Sequence, residues 1–139
     1  MLPFFSFAAN ASDIFFDGFE SGNFSNWTSF GQNWDTVKSA VPYAHSGSER
    51  AEVRGSVTDD VLLKQLSTSG YQGITLSYWY RIGEGLEEED HVFVEWFDGS
   101  AWNSLEDFSA ITKGEWLQKS YLLPGSAGNN SDFGIRFRA

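Results

Sequence analysis

Two histidines, His45 and His91, are the only imidazoles in the chain, and neither lies near a nucleophile by motif. His45 sits in a Ser/Gly turn. His91 opens a strand beside the acidic run Glu87-Glu88-Glu89-Asp90. No G-x-S-x-G elbow, H-E-x-x-H pair or phosphate-binding glycine loop occurs. There is no cysteine, which removes thiol catalysis, thiolate zinc sites and disulfides together. Paired carboxylates are the machinery of glycoside hydrolysis, but with nineteen acidic residues some pair always looks suitable. The chain therefore reads as non-catalytic, with both histidines structural or simply exposed.

Binding chemistry is better represented. Trp79, Arg81, Phe93, Glu95, Phe97, Arg136 and Arg138 all fall on the positions that alternate with apolar core residues. If their strands are neighbours they line one sheet face. Such a face serves as a ladder of cross-strand pairs, as a contact with another subunit, or as a platform for a glycan. Four N-x-S/T sequons, at Asn10, Asn23, Asn26 and Asn129, are more than seven asparagines produce by chance. They fit a glycosylated extracellular protein, with Asn23 and Asn26 in an expected surface loop. The acidic run at 87–90 lacks EF-hand spacing and reads as a solvated loop.

The elements that position these residues are strands. Leu76, Tyr78, Tyr80 and Ile82 alternate with Ser77, Trp79 and Arg81; Val92, Val94 and Trp96 alternate with Phe93, Glu95 and Phe97. Strict period-two alternation marks half-buried strands. The two runs read as a central pair joined by the acidic loop. Further strands are expected over 13–20, 34–39, 49–54, 61–66, 102–105, 115–123 and 132–138. Residues 21–33 and 106–114 read as irregular. Asp98-Gly99 is a hairpin signal, and Pro124-Gly125 ends a strand. Trp27, Trp34, Trp102 and Trp116 are assigned to the core or its rim. Eight or nine short strands without a helical period predict an all-β fold, an antiparallel two-sheet jelly-roll sandwich.

At 139 residues the chain is one domain by size. Six Trp and thirteen Phe are too many for a disordered chain, and fourteen Gly supply its turns. The net charge is −10, and the nine Lys and Arg form no basic cluster. Nucleic acid and anionic membranes are thus poor partners, because both need a positive surface. No stretch is long and apolar enough to span a bilayer. Residues 1–12 form a separate apolar segment ahead of the domain at 13–139. Ala9-Asn10-Ala11 resembles a leader cleavage site, although no positive region precedes it.

Taken in order, FFDGFESGNFSNWT, Trp34, AHSGSERAEV, LLKQLSTSG, ITLSYWYRIGEGLEEEDHVFVEWFDGSAW, Trp116 and FGIRFRA resemble MAM-like jelly-roll domains. The cysteine-free forms from bacterial and archaeal adhesins and choice-of-anchor modules are the nearer likeness. The resemblance covers residues 13–139 and implies a non-catalytic extracellular module for adhesion, assembly or glycan contact. It also implies a structural Ca2+ near the first strand, held here by Asp17 and Glu20 with carbonyls from the His45–Glu49 turn. Such domains usually close with one more strand, which has no counterpart before Ala139. An open sheet edge invites another strand. The apolar residues Leu2, Phe4, Phe5 and Phe7 are suited to supply it, to their own domain or to a neighbour. The expectation is a secreted or cell-surface protein that self-associates, with carbohydrate binding as the alternative.

Overall fold

The computed structural model describes residues 13–38, 43–54, 59–85, 87, 89–109 and 112–139. Leu2, Phe4, Phe5, Phe7 and the Asn10 sequon lie outside the described residues. Nine strands follow in order: β1 (Ser29–Phe30), β2 (Trp34–Lys38), β3 (Glu49–Val53), β4 (Val61–Leu66), β5 (Thr75–Arg81), β6 (Val92–Phe97), β7 (Trp102–Phe108), β8 (Trp116–Leu122) and β9 (Phe133–Arg138). One layer is a five-stranded sheet in the order β1-β4-β9-β6-β7. The other consists of two separate ladders, β2-β3 and β5-β8. Every paired strand is antiparallel. The fold is the expected antiparallel sandwich; most successive strands lie in different layers, while β2-β3 and β6-β7 pair within one. No helix among the described residues is long and apolar enough to cross a membrane.

Alternation explains why these runs became strands. Leu76, Tyr78 and Tyr80 of β5 are buried against Val92, Val94 and Trp96 of β6, Phe108 of β7, and Phe133, Ile135 and Phe137 of β9. Tyr78 is fully buried and meets Phe137 edge-on at 5.4 Å, so the two layers touch at that point. Trp34, Ala51 and Val53 extend the same core under β2-β3. A bulge in β7 shifts the register between Val94 and Glu95. Before it, Trp102 and Ser104 lie opposite the outward Phe97 and Glu95. After it, Glu106 and Phe108 lie opposite the inward Val94 and Val92. The extra residue moves Phe108 from the solvent face to the core, where its ring lies 4.4 Å from that of Tyr80.

Four expectations need correction. β5 and β6 are not partners: β5 pairs with β8 and β6 with β9 and β7, so the acidic loop carries the chain from one layer to the other. Residues 13–20 form no strand. Their aromatic side chains are held by packing instead, Phe15 edge-on to Trp27 at 5.4 Å and Phe19 stacked on it at 6.0 Å. The expected irregular region begins too early, since β7 continues to Phe108, and β1 lies inside an expected loop. Trp102 is on the outer face of the five-stranded sheet rather than in the core, whereas Trp27 and Trp34 are buried.

Candidate strand-acceptor groove

Among the described residues, the split in the second layer leaves one side of β5 without a paired strand. Its one ladder, to β8, runs from Thr75↔Leu122 to Arg81↔Trp116 without a register shift. The Leu123 N–H donates to the Ile74 carbonyl at 2.9 Å, one step before the ladder, and the Gly114 N–H donates to the Ile82 carbonyl at its far end. In an antiparallel pair every second residue turns both backbone groups toward the partner. Ile74 and Ile82 fix that parity, so Leu76, Tyr78 and Tyr80 bond to β8. The backbone groups of Thr75, Ser77 and Trp79 then point to the open side. No strand among the described residues pairs with them there.

That open edge borders a cleft of about 500 Å³. One bank is Ile74 to Trp79 and the other is Asp13 to Phe16. The floor is Leu66, Phe133 and Ile135 of the facing sheet. Three apolar side chains at its margin stay exposed: Ile14 (36%), Phe16 (39%) and Tyr71 (50%). A free strand edge over an apolar floor is chemically a place for another extended chain. The edge offers backbone hydrogen bonds, and the floor offers burial.

The expected binding face is divided between layers. Trp79 and Arg81 face outward from β5-β8, while Phe93, Glu95, Phe97, Arg136 and Arg138 share the outer face of the five-stranded sheet. On the latter, Glu95 is only 8% exposed. It accepts hydrogen bonds from Arg136 Nε at 2.5 Å and from Arg138 Nε and Nη2 at 3.2 and 3.0 Å. Arg138 lies over Phe93 at 4.3 Å and Arg136 over Trp102 at 4.1 Å. Gly134 permits this cover, because a Cβ there would come within 3.2 Å of the Trp102 ring. The side chains of this face satisfy one another as a cross-strand ladder.

On the other layer, the His45 imidazole lies flat on Trp79, 3.8 Å between ring centres, and meets Trp116 edge-on at 5.8 Å. The Trp116 indole N–H donates to the Tyr43 carbonyl at 3.1 Å. His45 thus covers one face of the Trp79 ring. His91 shares a 2.7 Å hydrogen bond with Asp107 and stacks on Phe93.

Asp17 and Glu20 both line a small pocket with Ser46 and Gly47, and both are engaged by hydrogen-bond donors. Asp17 accepts the Phe19 N–H at 2.7 Å and the Trp27 indole N–H at 2.9 Å. Glu20 accepts the Ser48 and Glu49 N–H groups, both at 2.9 Å, and the Ser48 hydroxyl at 2.9 Å. N–H and O–H donors thus occupy part of the acceptor capacity of each carboxylate. Among the described residues no three His, Asp or Glu side chains gather as a metal would need. Asn23, Asn26 and Asn129 are all exposed. The Asn23 side chain closes a local turn with Ser21 and Ser25, and Asn129 Oδ1 accepts the Gly70 N–H.

Several groups are tuned by these contacts. The Glu20 carboxyl is held below its ordinary 4.5, first by the Glu49 N–H. Burial alone would raise Glu95, but hydrogen bonds from Arg138 and Arg136 bring it below 4.5. Burial would likewise raise Glu106, and Lys119 and Tyr121 bring it down. Desolvation holds His45 below 6.5. A folded-state pKa below the unfolded one gives stability that is present above the unfolded value and lost as pH falls through the folded one. Urea midpoints should therefore decline slightly below about pH 6.5 as His45 gains a proton, and steeply below about 4.5. His45→Gln should remove only the first step; a midpoint that rises on acidification would contradict this assignment.

No family model matches the chain, no curated protein matches it, and no solved structure matches its fold. The likeness to MAM-like domains rests on the order of the residue strings. The groove residues Thr75 and Ser77 were not singled out in the sequence. Their one signal there is the alternation of β5, which marks them as outward without saying which edge is open.

Proposed function

We propose that this domain is an extracellular structural module that joins to copies of itself. The β5 groove of one chain receives the apolar N-terminal segment of the next. The observation that carries the reading is the open β5 edge above a cleft of about 500 Å³ with an apolar floor. Residues 2–9, LPFFSFAA, contain three phenylalanines and no charge. Extended, eight residues span about 26 Å, close to the length of the seven-residue β5. Asp13, the first described residue after the apolar segment, stands on the bank of the groove. Donation to a neighbour repeats head to tail and builds an open assembly. The exposed sequons at Asn23, Asn26 and Asn129 support a secreted or surface location.

Light scattering on the full chain over a wide concentration range tests the reading. The expected mass rises with concentration well above 15.6 kDa. The full chain carrying Phe5→Asp and Phe7→Asp should remain at the monomer mass, because a carboxylate pressed unpaired against Leu66, Phe133 and Ile135 loses its hydration. A native chain that stays monomeric throughout, as insertion into its own groove would give, overturns the proposal.

A further inference from the structure

We infer that the incoming segment runs antiparallel to β5, bonding through alternate residues to Thr75, Ser77 and Trp79 and burying Phe5 and Phe7 in the groove. This rests on the strand-acceptor reading above and adds the register parity, the direction and the residues that fill the cleft.

The backbone of the segment sets the parity. Pro3 has no N–H, and its ring would block a ladder on the side it faces. Pro3 must therefore turn its nitrogen away from β5. Each residue of a strand turns its N–H and C=O to the same side, and the sides alternate. Phe5 and Phe7 then also point away, while Leu2, Phe4, Ser6 and Ala8 point to the β5 edge. Their partners are the groups left open there, those of Thr75, Ser77 and Trp79.

Side-chain chemistry then sets the direction. In an antiparallel ladder, residues that exchange hydrogen bonds lie directly opposite, with side chains on the same face. Thr75, Ser77 and Trp79 face away from the core, opposite in sense to Leu76 and Tyr78. Antiparallel entry therefore puts Leu2, Phe4, Ser6 and Ala8 outside, and Pro3, Phe5, Phe7 and Ala9 inside against Leu66, Phe133 and Ile135. A parallel ladder reverses this. Each bonding residue then lies beside a β5 residue that points the other way, so the set containing Ser6 enters the core. The inner set of the antiparallel arrangement is wholly apolar; that of the parallel arrangement turns the Ser6 hydroxyl onto the apolar floor of Leu66, Phe133 and Ile135. The antiparallel direction is favoured on that ground.

The test uses dye-labelled peptides of residues 2–9 with a lysine tail, added to the full chain at a concentration where it is monomeric, with capture read by fluorescence anisotropy. N-methylation at Phe4 or Ser6 removes a donor aimed at β5 and should weaken capture about tenfold or more. N-methylation at Phe5 or Phe7 should change it little. Phe5→Ser and Phe7→Ser should weaken capture by roughly ten- to a hundredfold, and Phe4→Ser far less. Sensitivity to N-methylation and to side-chain truncation thus falls on opposite parities. Both sensitivities at Phe4 and Ser6 would mean parallel entry and overturn the inference while leaving strand donation standing. Capture that ignores N-methylation would overturn the ladder itself. No capture of the unmodified peptide would overturn both the inference and the acceptor reading.

Discussion

Replacing Tyr78 by alanine should cost the fold about 4 kcal/mol, because it removes a fully buried aromatic ring from the point where the layers meet. The ring touches Phe137 at 5.4 Å, Tyr80 at 6.2 Å, Tyr121 at 6.3 Å and Phe108 at 6.5 Å. These neighbours come from β5, β7, β8 and β9, so no single element can shift to fill the space. A domain of this size has about 5–15 kcal/mol of stability in all, so the variant would lose between about a quarter and four fifths of it. Urea unfolding followed by tryptophan fluorescence measures the loss. Tyr78 also lines the groove, so a surviving Tyr78→Ala fold should have a deeper cleft. A loss below about 1 kcal/mol would mean that the layers do not close on this residue.

Asp17→Ala should cost about 3 kcal/mol. Asp17 is 4% exposed, and both of its oxygens accept N–H donors. Hydrogen bonds to a charged group contribute about 1.5–3 kcal/mol each, and their loss leaves the Trp27 indole N–H buried without its acceptor. Phe19, whose N–H is one of the two donors, has φ of +64°, a conformation that a phenylalanine adopts only when its surroundings impose it. Asp17 is part of that imposition. The aromatic corner of Phe15, Phe19, Phe24 and Trp27 should loosen with it, which a change in near-ultraviolet circular dichroism would report. On this account Asp17 acts as a hydrogen-bond acceptor for the corner, so millimolar Ca2+ should leave the melting temperature of the native chain unchanged. A calcium-dependent rise that Asp17→Ala abolishes would show that Asp17 holds a metal instead.

The strands that were legible in the sequence are those with one wet and one dry face. β5, β6 and β9 show clear alternation because each lies on one core, whereas Val61–Leu66 of β4 opens on three apolar residues and reads equally as a helical turn. Leu76, Tyr78, Tyr80, Val92 and Val94 are all buried as their alternation predicts. The Asp98-Gly99 hairpin was legible because its determinants are local: Asp98 accepts the Ser100 and Ala101 N–H groups, each at 2.8 Å. Partnership was not legible. Alternation says which way Trp79 and Phe93 point, but not that β8, not β6, lies beside β5. That choice depends on the crossover between layers, which contacts distant in the chain decide. In the segment 13–20, aromatic spacing resembled a strand, yet the rings pack as a corner without a ladder. The β7 bulge broke the alternation that would have extended that strand past residue 105.

The candidate site was half visible. The apolar stretch at 2–9 announces a need for burial, whereas the receiving edge appears only when the β5-β8 ladder fixes which backbone groups are spoken for. On the face first expected to bind a partner, arginines, Glu95 and aromatic rings pair with one another across the strands.

Hydrogen exchange at single-residue resolution on the full chain tests the central claim most directly. Leu76 and Tyr78 amides, already bonded to β8, should exchange slowly at every concentration. The Ser77 and Trp79 amides should exchange fast in the dilute monomer and at least about tenfold more slowly once the mass by light scattering has risen. A chain that assembles while Ser77 and Trp79 continue to exchange at their monomer rate would show that its copies join elsewhere, and that the β5 edge is not the acceptor.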